Sequence, residues 1–192
     1  MIKTKNLKKN YINTCFLKKS LYLCGMKNQL PYCKTSEAIK GYTESVIAKS
    51  EANDCVVRAI AAGFDIDYDR AHQFVKDTFG RKDRQGTFGF VSGMNKIAKE
   101  RTRIGRKTCK PMGKPLNEYS SFNTLSYEVN VKGEKVIRQM TVGTFTKKNP
   151  KGTFVLTVSG HAFTIKDGVV IGNFEDSKKK RMRVHAAWKV GK

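Results

Sequence analysis

No run in the 192-residue chain approaches the roughly 18 consecutive apolar residues that a membrane-spanning helix needs, so a transmembrane reading is excluded. There is no Cys-x-x-Cys pair. Cys15, Cys24 and Cys33 stand nine residues apart, and only three histidines are present. That combination excludes the common structural zinc spacings, and neither a metal nor another cofactor is expected. An odd count of five cysteines does not describe a secreted disulfide framework, so the chain reads as reduced. Gly86-Thr87-Phe88-Gly89 lacks the lysine and the spacing of a phosphate-binding loop. No internal repeat is visible. Acid is also scarce. There are 38 Lys and Arg against 16 Asp and Glu, a net charge of +22. Such a balance favours contact with an anionic polymer without showing that this contact is the purpose. A hydrophobic content of 39 % excludes a wholly disordered chain and suits one domain.

Residues 1–25 differ from the rest. They hold Lys3, Lys5, Lys8, Lys9, Lys18 and Lys19 and no acid, and Leu21-Tyr22-Leu23-Cys24 is too short for a signal-peptide core. The segment is either a basic arm or a misassigned start with Met26 as the true one. The remainder, 26–192, reads as a single domain that still carries twice as many basic as acidic residues.

From Ser50 onward the signals are helical. Asn53 is a good N-cap for Val56, Val57, Ala59, Ile60 and Ala61, with Gly63 as a stop. Asp67 opens a second helix through Ala71, Phe74, Val75 and Phe79, closed by Gly80. Val91, Met94, Ile97 and Ala98 form a weaker third stripe. Arg101–Pro115 is a loop-like stretch, with seven basic residues from Lys99 to Lys114, and a short helix starts at Thr141 and ends before Pro150. The last third reads as strands over Thr153–Ser159, His161–Lys166, Val169–Phe174 and Val184–Val190. Helices first and antiparallel strands later indicate an α+β fold. Phe88, Phe90, Tyr119, Phe122 and Tyr127 are not interleaved with the basic runs, and most of them are expected in the core.

Cys55 carries the sharpest chemical signal. At the second position of a helix capped by Asn53 it sits among free backbone N–H groups that favour thiolate over thiol. A nucleophilic cysteine needs a base and the base an orienting partner. His161 opens a strand far along the chain. If Lys166-Asp167-Gly168 forms a three-residue loop with a bulge, His161 lies opposite Asn173, whose amide oxygen then fixes the imidazole. Asp176 and Glu175 are the alternative orienting residues. His72 and His185 read as structural or solvent-facing. A buried, inert helix cysteine remains the competing reading of Cys55.

Asn53-Asp54-Cys55 opening a helix, then Gly160-His161-Ala162-Phe163 and Asn173 on successive strands, resembles the papain-like cysteine hydrolases. Asn53–Ala59 together with Gly80-Arg81-Lys82 and Gly86-Thr87 also resembles small uncharacterised proteins of phages and their bacterial hosts. The resemblance spans about Ser50 to Phe174. It implies a papain-like domain of N-terminal helices followed by an antiparallel sheet. It also implies a Cys55–His161–Asn173 triad acting on a peptide, isopeptide or other amide; Asn53 or Lys49, with the Cys55 backbone N–H, are the expected donors near the oxyanion. The usual glutamine six residues before the nucleophile is Lys49 here, which lowers the expectation of efficient peptide hydrolysis. The protein is expected in the cytoplasm, or in the host cytoplasm or virion if phage-encoded. The rival reading is a non-catalytic basic protein on the same scaffold that serves a phage structural role or binds nucleic acid. Its contacts would come from Arg101, Arg103, Arg106 and Lys107, and from Lys178, Lys179, Lys180, Arg181 and Arg183.

Overall fold

The computed structural model describes residues 29–113 and 125–191. The expected basic extension, Tyr119 and Phe122 lie outside them. The elements run β1 (Tyr32–Lys34), α1 (Thr35–Ala38), α2 (Val46–Ser50), α3 (Cys55–Phe64), α4 (Tyr68–Phe79), α5 (Phe90–Glu100) and β2 (Thr108–Pro111). They continue with β3 (Ser126–Val131), β4 (Glu134–Gln139), α6 (Val142–Lys148), β5 (Thr153–Val158), β6 (His161–Lys166), β7 (Val169–Gly172) and α7 (Phe174–Ser177). A 3₁₀ turn (Lys178–Arg181) and β8 (Ala186–Gly191) complete the chain. The fold is α+β. Its main sheet has the order β1-β7-β6-β5-β8-β2, antiparallel except for the β1–β7 pair, and β3 and β4 form a separate two-stranded ribbon.

Alternation along the strands builds two cores. Val155, Ala162, Trp188 and Val190 face α3, α4 and α5. Phe154, Leu156, Val158, Phe163, Ile165 and Ala187 face the opposite way, against Val142 and Phe145 of α6 and against Val184. Val184 therefore belongs to the core opposite Trp188, because it precedes β8 rather than starting it. Fully buried Trp188 donates its indole N–H to Asn95 of α5 at 3.0 Å. Each such side chain contributes roughly 1.5–3 kcal/mol of burial.

Helix α3 is set on this sheet by small residues. Cys55, Ala59 and Gly63 fall at i, i+4 and i+8, one stripe along the helix. The Thr164 hydroxyl donates to the Ala59 carbonyl at 2.7 Å, and a Cβ on Gly63 would stand 2.6 Å from a Val155 methyl carbon. Four helical residues rise about 6 Å and two strand residues about 6.6 Å. The step from Cys55 to Ala59 thus matches the step from Ala162 to Thr164, and α3 runs alongside β6.

Several local expectations are corrected. Asn53 is left-handed (φ 54°) and Asp54 occupies the N-cap, so Cys55 is the first helical residue, not the second. Gly63 does not stop α3, because its missing side chain serves packing; the helix ends one residue later, at a left-handed Asp65. Strand β2 emerges inside the expected basic loop by pairing with β8. Phe90 is buried, whereas Phe88 is 86 % exposed. Cys33, buried on β1, is disulfide-bonded, so the fully reduced reading fails there. No helix among the described residues is long and apolar enough to cross a membrane.

Because Gly63 has no room for a methyl group, Gly63→Ala should destabilise the fold by about 1–3 kcal/mol. The effect is read from the urea midpoint at unchanged m-value. An unshifted midpoint would mean that α3 is not held this closely.

Candidate active site

The α3 stripe delivers Cys55 to the start of β6. There the His161 side chain and the Ala162 backbone act on the thiol and favour its thiolate form. His161 Nε2 lies 2.7 Å from Asp176 Oδ1. The ring also rests against Phe163, with centroids 6.0 Å apart. Asp176 is buried, and its second oxygen accepts the Asn173 backbone N–H at 2.8 Å. Gly172 makes room for it, since a Cβ there would lie 2.2 Å from Asp176 Oδ2.

The structure therefore brings Cys55 and His161 together, and the orienting group is Asp176, not the Asn173 side chain. The reason is the turn. Lys166 pairs with Val169, so Asp167-Gly168 is a two-residue loop with both residues at positive φ, and the bulge that would have placed Asn173 opposite His161 is absent. The chain leaves the sheet after Gly172 and coils into α7, which swings Asp176 back to the imidazole. Asn173 acts through its N–H on Asp176, while its side-chain oxygen receives the Thr35 hydroxyl at 3.4 Å.

Charges follow this geometry. Burial pushes the Cys55 thiol up. The His161 and Ala162 hydrogen bonds and the positive charges of His161 and Arg58 outweigh that and hold it below its ordinary value. Burial likewise opposes the His161 imidazolium, but the hydrogen bonds and charges of Asp176 and Cys55 raise its pKa to about 9. Asp176 is lowered: burial acts against it, while the bonds from His161 and the Asn173 N–H and the charges of His161 and Arg58 prevail. Cys109 is the contrast. With burial alone acting, its thiol is pushed up to about 11.

The remaining expected residues are placed as follows. The Asn53 amide donates to the Arg84 carbonyl at 3.2 Å, and Lys49 is exposed on α2. Glu51 pairs with Arg81 and accepts the Arg84 N–H at 3.1 and 3.2 Å. Arg81 also meets His72 Nε2 at 3.1 Å and the Ala52 carbonyl at 3.1 Å. His72 is buried and structural. Ligand atoms of Glu51, His72 and Asp83 lie within 4.8 Å of one another, but Arg81 already neutralises Glu51, and Lys76 pairs with Asp83 at 3.0 Å. This network pins the 51–54 segment that leads into Cys55.

The two basic groups lie beside different cores. Arg101, Arg103 and Arg106 are exposed between α5 and β2, in a connection whose Ile104 packs into the α3-side core. Lys107 is half-buried, and its ammonium reaches the Gly63 carbonyl at 3.5 Å. The Lys178–Arg181 turn packs near α6 on the other layer, with Lys180 against Gly143. Lys178 pairs there with Glu175 at 2.7 Å, and exposed Arg183 bridges to Thr141. Sequence reasoning missed Arg58. Its position three residues after Cys55 on one helix was the available signal.

No protein-family model matches the chain, and no curated protein or solved structure matches it either.

If Asp176 holds the imidazolium, Asp176→Asn should bring the His161 pKa down from about 9 toward the ordinary 6.5 or so. Asn173→Ala keeps the backbone N–H and should move it far less. Carbon-detected imidazole titration by NMR checks both; equal shifts would contradict the assignment.

Proposed function

We propose that the protein is a thiol-dependent acyl-transfer enzyme, a hydrolase of papain-like type acting on a peptide, isopeptide or other amide. The supporting observation is the His161–Asp176 hydrogen bond at 2.7 Å beside Cys55, with the thiol held low and the imidazole held high. The Cys55 thiolate attacks the acyl carbon and forms the C–S bond. His161 delivers its proton to the leaving nitrogen as the C–N bond breaks. The neutral ring then takes a proton from water as the water oxygen attacks the acyl carbon; the C–S bond breaks with its electrons on sulfur, which restores the thiolate–imidazolium pair. Asp176 keeps the ring oriented and stabilises its charge throughout.

Developing charge on the acyl oxygen needs donors. The Asn53 amide is engaged by Arg84 and Lys49 points into solvent. The role therefore falls to backbone N–H groups in the first turn of α3, led by that of Cys55. The two basic groups pack next to different cores, residues 101–107 beside the α3-side core and Lys178–Arg181 beside α6, which gives less support to a nucleic-acid interface built from both.

A small activated ester such as p-nitrophenyl acetate should give a burst of nitrophenolate stoichiometric with protein. Cys55→Ala should abolish it, and turnover should fall by about 10²-fold or more. The rate requires thiolate and imidazolium together. It should therefore rise with pH below the ordinary thiol range and fall again near 9. Asp176→Asn removes the charge that favours imidazolium, so it should move the alkaline limb to lower pH. A burst that survives Cys55→Ala would overturn the proposal.

A further inference from the structure

Arg58 lies three residues after Cys55, on the same side of α3, a spacing that puts Cβ atoms about 5–6 Å apart. Its side chain bends back toward the helix start, where Nε meets Asp54 Oδ1 at 2.9 Å. Asp54 directly precedes Cys55, so the guanidinium lies beside the first turn rather than over the body of the helix. The anchor is itself fixed, because Asp54 Oδ2 accepts the buried Tyr68 hydroxyl at 2.8 Å. Tyr68 in turn packs edge-on against Tyr42 at 5.2 Å.

Only 14 % of the Arg58 side chain is exposed, so its position is restricted. One edge of the fork is committed to Asp54. The terminal nitrogens have no partner among the described residues, and they are not sealed from solvent as buried orphan donors would be. The charge favours the ionised forms of both Cys55 and Asp176. A fixed, mostly buried guanidinium with its outer donors open, one turn from a nucleophile, is suited to a planar anion.

We propose that Arg58 is the specificity residue of this site, its free edge receiving a carboxylate that the substrate carries close to the scissile carbonyl. The inference rests on the acyl-transfer reading and narrows its substrate class. Two sources fit the same chemistry: the side chain of an acidic residue, or a terminal α-carboxylate.

Iodoacetate and iodoacetamide test this on the full chain. In both, the thiolate displaces iodide, which leaves with the C–I electron pair as the S–C bond forms. The reagents differ only in carboxylate against carboxamide. Rates are read from the mass of the Cys55 peptide. The iodoacetate-to-iodoacetamide ratio should fall about tenfold in Arg58→Met, with Arg58→Lys intermediate. Arg58 also supports the thiolate, so each rate alone will change, but the ratio cancels the thiolate fraction. An Arg58→Met ratio equal to wild type in a protein of native circular dichroism overturns the proposal.

Losing the Asp54 partner could also unfold the variant, so the wild type supplies a second arm. At constant ionic strength, N-acetylglutamine offers only an α-carboxylate and the α-amide of N-acetylglutamate only a side-chain carboxylate. N-acetylglutaminamide offers neither. Slower iodoacetamide alkylation with one charged ligand supports Arg58 recognition and identifies the source. Protection no better than by the neutral compound overturns it. A Cys55 inert to both reagents removes the acyl-transfer reading as well, whereas fast alkylation without a carboxylate preference removes only this inference.

Discussion

The site depends on how closely α3 lies against β6. The stripe of Cys55, Ala59 and Gly63 lets the helix approach until the Thr164 hydroxyl reaches the Ala59 carbonyl at 2.7 Å. Larger residues at Ala59 or Gly63 would lift α3 from the sheet. Cys55 would then withdraw from the Ala162 backbone and from His161, and only the Arg58 charge on the same helix would still oppose its burial. Cys109 shows the limit of burial acting alone, with its thiol pushed up to about 11. The two cysteines differ in chemistry because one meets an imidazole and a backbone donor and the other meets neither.

The rest of the fold holds the parts of that contact in place. On one side, Glu51, Arg81 and the Arg84 backbone tie down the segment before Cys55, and Asp54 is held by Arg58 and Tyr68. On the other, Gly172 ends β7 without a side chain, so the α7 turn can fold Asp176 onto the imidazole. Packing thus fixes Cys55 from the helix layer, and sheet pairing fixes His161. The chain's exit from the sheet fixes Asp176.

Much of this was legible in the residues. Asp67 and Gly80 bound α4 as expected, with the Asp67 side chain accepting the Asp69 N–H and Gly80 left-handed. The β6 limits coincide with the expected ones, and Thr141 caps α6. The pairing of Cys55 with His161 followed from chain order and helix position. The third partner was not decided by sequence, because a two-residue and a three-residue turn at Asp167-Gly168 differ by one residue of register. One residue exchanges the strand's faces. Strand β2 was hidden because its identity comes from pairing with β8, far along the chain, while its own composition reads as a charged loop. Arg58 was hidden for a similar reason: a basic residue in a helix signals nothing until its anchor on Asp54 is seen.

The most direct test of the account is the pH dependence of Cys55 alkylation by iodoacetamide, followed by the mass of its peptide in wild type and in His161→Ala, with Cys109 as an internal control. The account predicts a Cys55 reactivity pKa below the ordinary thiol value of about 8.5, a rise in the His161→Ala protein, and a Cys109 that stays unreactive through neutral pH. A Cys55 that titrates like an ordinary thiol, or identically in the two proteins, would contradict it.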